Sequence, residues 1–200
     1  MASWIWPSVF MLIASGAEAK EIGDGVLDFW FQQCKPWQWF RRDSSFDALV
    51  RERFGALTNE ALDGGLKQWE DSPKQCLALV LLLDQFARQL WRDHARAFSG
   101  DQRALRLSQQ ALNQGWIDCE IERARRQFWL MPMLHSEHRA VVSAAIPLLE
   151  LHSDAATAAV ARRNLNQLER FGRYPRRNAA LKRQSTGAEL HFLNANNKAQ

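Results

Sequence analysis

Three groups of residues in this chain carry side chains able to do chemistry. Asp84 and Arg88 set a carboxylate and a guanidinium one helical turn apart. His135-Ser136-Glu137-His138 places two imidazoles around a hydroxyl and a carboxylate. Arg170-Phe-Gly-Arg-Tyr-Pro-Arg-Arg-Asn178 sets four arginines and an asparagine among Phe171, Tyr174 and Pro175. A solvated charge run has no use for rings spaced so closely among arginines. The mixture suits a segment packed by its rings, with guanidinium forks turned toward an acid or a ligand.

Each group limits the chemistry it can support. A zinc site takes three or four protein ligands, and nothing at telling spacing completes the His135–His138 cluster, so neither a metal nor another cofactor is implied. Ser136 is a poor nucleophile candidate, because sequence neighbours rarely reach one another in triad geometry. It suits a helix cap better. Gly172 alone, or Gly64-Gly65, does not make a phosphate-cradling loop. Glu137 or His135 can act as a general base, with arginines stabilising developing negative charge.

The elements that position these groups read as helices. On a wheel of 100° per residue, Leu77, Leu81, Asp84, Arg88 and Trp91 share one face. Asp84 and Arg88 thus point with buried leucines, where an ion pair needs further partners. The helix carrying them starts at Ser72-Pro73-Lys74-Gln75, a cap, a first-position proline and a box-closing glutamine. It is apolar from Cys76 to Leu83, as a central element buried all round would be. Ser44 with Asp47 opens an earlier helix ending near Gly64-Gly65. Asp101 caps one that stops at Gly115; the next spans Ile121 to Leu130 and ends before Pro132. Ser136 caps a helix that Pro147 kinks or splits. Asp154 starts an Ala-rich helix ending at Gly172, and Thr186-Gly-Ala-Glu189 forms a last capping box. Strand alternation is absent, so the fold class is all-α, stacked helical hairpins with short links.

Length and composition agree with this. Two hundred residues, 46% hydrophobic and 24% charged, suffice for one globular domain with a real core. Nine Trp stand against a single Tyr, and Trp30, Trp37, Trp39, Trp69, Trp91, Trp116 and Trp129 are expected to fill gaps between helices. The net charge of +4 is concentrated between Arg162 and Arg183, where eight cations face only Glu169. That excess favours an anionic partner. No nucleic-acid module is legible, which leaves a basic-patch nucleic-acid binder as a minor reading. Cys34, Cys76 and Cys119 suggest neither a disulfide framework nor a zinc site, and three free thiols fit a cytoplasm. Residues 1–22 read as an N-terminal extension, either a misassigned start or a weak export signal cleaved after Ala19. Its apolar stretch from Trp4 to Ala14 lacks a basic flank and is too short to span a membrane.

Five blocks in order resemble the DUF924 family: Val26-Leu-Asp-Phe-Trp-Phe31, Leu83-Asp-Gln-Phe86 with Arg88, Ala95-Arg-Ala-Phe98 with Asp101, His135-Ser-Glu137, and Arg170-Phe-Gly-Arg173 with Pro175, Arg177 and Asn178. The resemblance covers Val26 to Leu193 and implies an all-helical, tetratricopeptide-like fold of uncharacterised activity. Against the family's pattern, Gln89 replaces an Asn, His138 an Asp, Arg176 and Asn164 a His each, and Lys182 a Gly. A site built on those histidines would be lost here; one built on Asp, Arg and Glu survives.

The sequence therefore predicts an extension (1–22), one helical domain (23–194) and a polar tail (195–200). A single polar site gathers Asp84, Arg88, His135, Glu137, Arg170, Arg173, Arg177 and Asn178. It is expected to bind a small anionic ligand or a peptide, or alternatively to catalyse a hydrolysis.

Overall fold

The computed structural model describes residues 16–197, and among them every regular element is helical. The Trp4–Ala14 stretch and the last three residues lie outside the described residues. Helix α1 (Gly16–Asp28) runs through both the Ala17-Glu-Ala19 match and the boundary placed at residue 22, and widens into a π turn over Phe29–Gln33. Then come α2 (Ser44–Leu62), α3 (Pro73–Val80), a second π turn over Leu81–Phe86, and α4 (Ala87–Leu90). They are followed by α5 (Asp101–Asn113), α6 (Trp116–Cys119), α7 (Arg123–His135), α8 (Arg139–His152), α9 (Ala155–Phe171) and α10 (Gly187–Asn197). No described helix is long and apolar enough to cross a membrane.

The central helix is what its composition requires. Every residue from Cys76 to Ala87 is buried, and each large apolar side chain so removed from water contributes about 1.5–3 kcal/mol. Helices α1, α5 and α7 pack on α3, while α2 packs on the π turn below it. Rings complete the core: Phe29, Trp30 and Phe86 are fully buried, with Phe29 against Phe54 at 4.9 Å and Trp30 against Phe86 at 5.1 Å. Trp30, Trp69 and Trp129 fill gaps as expected. Trp37 does not: it stands 56% exposed on the loop between α1 and α2, beyond the reach of that core.

Several local expectations need correction. Asp43 caps α2, accepting from the N–H groups of Ser45 and Phe46, because its carboxylate reaches the first turn that Ser44 has already entered. At α3 Pro73 takes the first position, but the Ser72 hydroxyl turns to the Gln75 side chain and makes no backbone cap. Helix α7 passes through Pro132 to His135 instead of stopping before it. The proline forfeits one backbone bond, and burial of Phe128 to Leu134 on both sides outweighs that loss. Likewise α8 continues through Pro147. Ser136 precedes it by too much to cap it and accepts from the His138 N–H instead. At α9 the expectations hold: Asp154 accepts from Thr157 N–H at 2.7 Å, and Gly172, at φ +69°, ends the helix in the left-handed conformation. The Thr186–Glu189 capping box also forms.

Candidate functional site

Asp84 sits in the π turn of the central helix, 1% exposed. Such wide turns often mark functional positions. Its carboxylate receives His135 Nδ1 at 2.8 and 3.0 Å, the amide of Gln85, and Arg88 Nη1 at 3.1 Å. Burial alone would raise the Asp84 carboxyl, but the Arg88 guanidinium and the His135 imidazole outweigh it and hold the group well below the ordinary carboxylate range. An anionic Asp84 fixes the proton of His135 on Nδ1. The ring remains part-exposed, and no described residue bonds its Nε2.

The second carboxylate of this cluster is Asp101, whose place at the head of an amphipathic run reads as a helix cap. Gly100 occupies the cap position instead, and Asp101 turns inward to bridge Arg88 Nη2 at 2.8 Å and Arg177 Nη1 at 3.0 Å. Gly100 makes this approach possible. A Cβ there would meet the Leu83 carbonyl at 2.7 Å, so any larger residue would push α5 and Asp101 away from the central helix. Arg177 also donates to the His135 carbonyl at 2.7 Å, and its guanidinium lies between the rings of Phe98 and Tyr174 at 4.7 and 4.9 Å.

Glu137 belongs to an adjoining cluster. Arg183 grips both its oxygens at 2.7 and 2.9 Å, and the Tyr174 N–H donates at 2.7 Å. Burial would raise this carboxyl, yet Arg183 and the Tyr174 amide bring it below its usual value. Asn178, buried, accepts from Arg183 Nε at 3.1 Å and donates to Ser185. The Tyr174 hydroxyl lies within reach of the Leu134 and Ser136 carbonyls. Beyond it, Arg173 forms a bidentate pair with Glu189 at 2.7 and 2.9 Å.

The structure thus brings together Asp84, Arg88, His135 and Arg177, and beside them Glu137, Asn178 and Arg173. Arg170 is left out. It is exposed, its guanidinium over Phe171 at 4.8 Å, on the rim of an open depression of about 420 Å³ shared with Arg173 and Glu189. Arg183 and Glu189 were not singled out from the sequence as site residues. Arg183 could be read only as one cation of a basic run, because nothing in local spacing shows which acid an arginine will meet.

A family model matches residues 26–197, described as bacterial proteins of unknown function, DUF924. The chain belongs to the DUF924 family. Its fold is that of a protein of unknown function from Agrobacterium tumefaciens, ATU0120, with 30% identity and a TM-score of 0.81 over 88% of this chain and 98% of the other. Among curated proteins none matches. For this DUF924 chain, then, the site geometry must carry the functional argument.

Proposed function

We propose that this DUF924 protein binds a small anionic ligand, or an acidic peptide end, at the outer edge of the Asp84–His135 cluster. One observation carries the reading: the buried Asp84 orients His135 through Nδ1, while Nε2 is left without a described partner on a part-exposed ring. A structural lock for Asp84 needs only Arg88. An oriented imidazole with its outer nitrogen to spare is the arrangement of a group that meets a ligand. Arg88 and Arg177 balance the charges of Asp84 and Asp101, so an anion approaching the outer nitrogen meets no net repulsion from the cluster.

Inorganic phosphate serves as a probe. Titration into the full chain, followed by the long-range 1H–15N signals of His135, should shift Nε2 saturably, and Arg177→Lys should weaken the effect roughly tenfold by removing the fork that ties Asp101 to the His135 carbonyl and so positions the ring. Native mass spectrometry of freshly purified protein would identify a resident ligand. An Nε2 signal unmoved by phosphate, in a protein that carries no small molecule, overturns the reading.

The same nitrogen supports a second reading, hydrolysis by water with His135 as general base and Arg88 and Arg177 opposing developing negative charge. Glu137 is the weaker base, since Arg183 and Tyr174 already engage both its oxygens. Turnover of p-nitrophenyl phosphate or acetate that disappears in His135→Gln would favour catalysis over binding alone. The nucleic-acid reading keeps only part of its basic run, since Arg173, Arg177 and Arg183 are each paired with a carboxylate. The cytoplasmic assignment rests on Cys34, Cys76 and Cys119, none in a disulfide. A mature N-terminus at Lys20 in the native host would reverse it.

A further inference from the structure

The loop from Cys34 to Asp43 combines features that neither the core nor the polar site uses. Trp39 anchors it, stacking on Trp30 at 6.2 Å, meeting Phe128 edge-on at 5.0 Å, and donating Nε1–H to the Trp30 carbonyl. On either side of that anchor, Trp37 and Phe40 stand 56% and 58% exposed. Two large rings held outward by a fixed neighbour are costly on an ordinary solvated surface. Their setting is cationic. Lys35, Arg41 and Arg42 are all exposed, and no acid occurs between Cys34 and Arg42. Arg42 pairs with Asp93, but both partners are largely solvated, so a phosphate can replace the carboxylate at little cost.

We propose that this loop docks the protein on an anionic bilayer surface, with Trp37 and Phe40 entering the headgroup layer and Lys35, Arg41 and Arg42 meeting lipid phosphates. Trp is at home at that depth, where its ring is buried and its N–H stays wet, and basic side chains beside it add electrostatic attraction. Single-stranded nucleic acid is the competing partner for an aromatic and basic surface. It fits less well, because stacking needs free ring faces. Here Phe40 lies parallel to Phe128 at 6.1 Å and Trp37 carries the Arg41 guanidinium at 5.6 Å.

The test is co-sedimentation of the full chain with vesicles of phosphatidylcholine alone or mixed with phosphatidylserine. Binding should require the anionic lipid and weaken with salt. Trp37→Ala/Phe40→Ala should reduce it at least about tenfold, and Lys35→Gln and Arg41→Gln roughly fivefold each, with unchanged thermal melts showing an intact fold. Retention of wild-type binding in the double ring variant would overturn the assignment and place the contact elsewhere in the chain. Failure to sediment with anionic vesicles would overturn it too, as would tight binding of a single-stranded oligonucleotide that the ring variant loses while vesicles bind neither form.

Discussion

His135 and Glu137 stand on either side of Ser136, yet the clusters around them are closed to different degrees. Around Glu137 both carboxylate oxygens are taken by Arg183 and the Tyr174 amide, and Arg183 is itself held by Asn178. Around His135 the inner nitrogen is held by Asp84 and the outer one has no described partner. The first arrangement is a clasp that ties the segment after α9 to the end of α7. The second is a prepared edge. Proteins close polar groups fully where only a fold is at stake, so the difference separates support from candidate site within a few residues.

The comparison is broken most severely at its buried carboxylate. Asp84→Ala leaves Arg88 with Asp101 as its remaining counter-charge, opens a void beside it and frees His135 from its orienter. A loss of about 3–5 kcal/mol is expected in urea unfolding, together with loss of any phosphate-dependent His135 shift. A variant with wild-type stability would show that Asp84 is not what holds this centre.

Glu137→Gln tests the clasp. It keeps volume and one acceptor but removes the charge that Arg183 grips, at an expected cost of about 1–3 kcal/mol. Because the clusters are distinct, the His135 imidazole signals should stay where they were. If they move as far as in an Asp84 variant, the clasp and the edge form one network and the distinction fails.

How much of this was legible beforehand varies from residue to residue. Asp84 and Arg88 announced themselves, since helical spacing puts them with Leu77 and Leu81 and a core charge needs partners. The long apolar run predicted the central helix for the same reason. Asp101 read as a cap because an acid before an amphipathic run usually is one; only the close approach at Gly100 turns it inward. Ser72 and Ser136 show the converse, good caps by pattern whose hydroxyls found other partners. Arg170 and Arg177 were indistinguishable in the block. The reversal at Gly172 and the turn at Pro175–Arg177 send one to solvent and the other into the cluster.

Acid should loosen both clusters in a defined window. The Arg173 guanidinium and the Thr186 N–H hold the Glu189 carboxyl at about 2, and Asp84 and Glu137 are also depressed. Unfolded carboxyls titrate near 4, so on acidification the unfolded chain takes up protons before the folded one does. Their stabilising contribution is complete above about pH 5 and fades as pH falls toward 2. Glu189→Gln should flatten that slope in denaturant midpoints measured from pH 6 to pH 2. Superimposable profiles would mean that Glu189 titrates alike in both states.

The smallest effect concerns how the clasp is aimed. Lys182 adopts φ +53°, a left-handed conformation that a side-chain-bearing residue holds only under strain. It stands where the family resemblance places a glycine. The next residue is Arg183, whose N–H bonds the Asn178 carbonyl at 2.8 Å and whose fork then reaches Glu137. Lys182 thus turns the chain so that Arg183 points inward. Lys182→Gly relieves the strain but makes the unfolded chain more flexible, and Gly's entropic cost of about 0.5–1 kcal/mol offsets part of the gain. A net stabilisation of about 0.5–1 kcal/mol is expected, read as a higher urea midpoint at an unchanged slope. The gain should vanish in a Glu137→Gln background if the turn serves the clasp, because relaxed aim is of little value without the carboxylate to meet. An equal gain in both backgrounds would show that the strain at Lys182 is local and that the clasp is aimed by Asn178 alone.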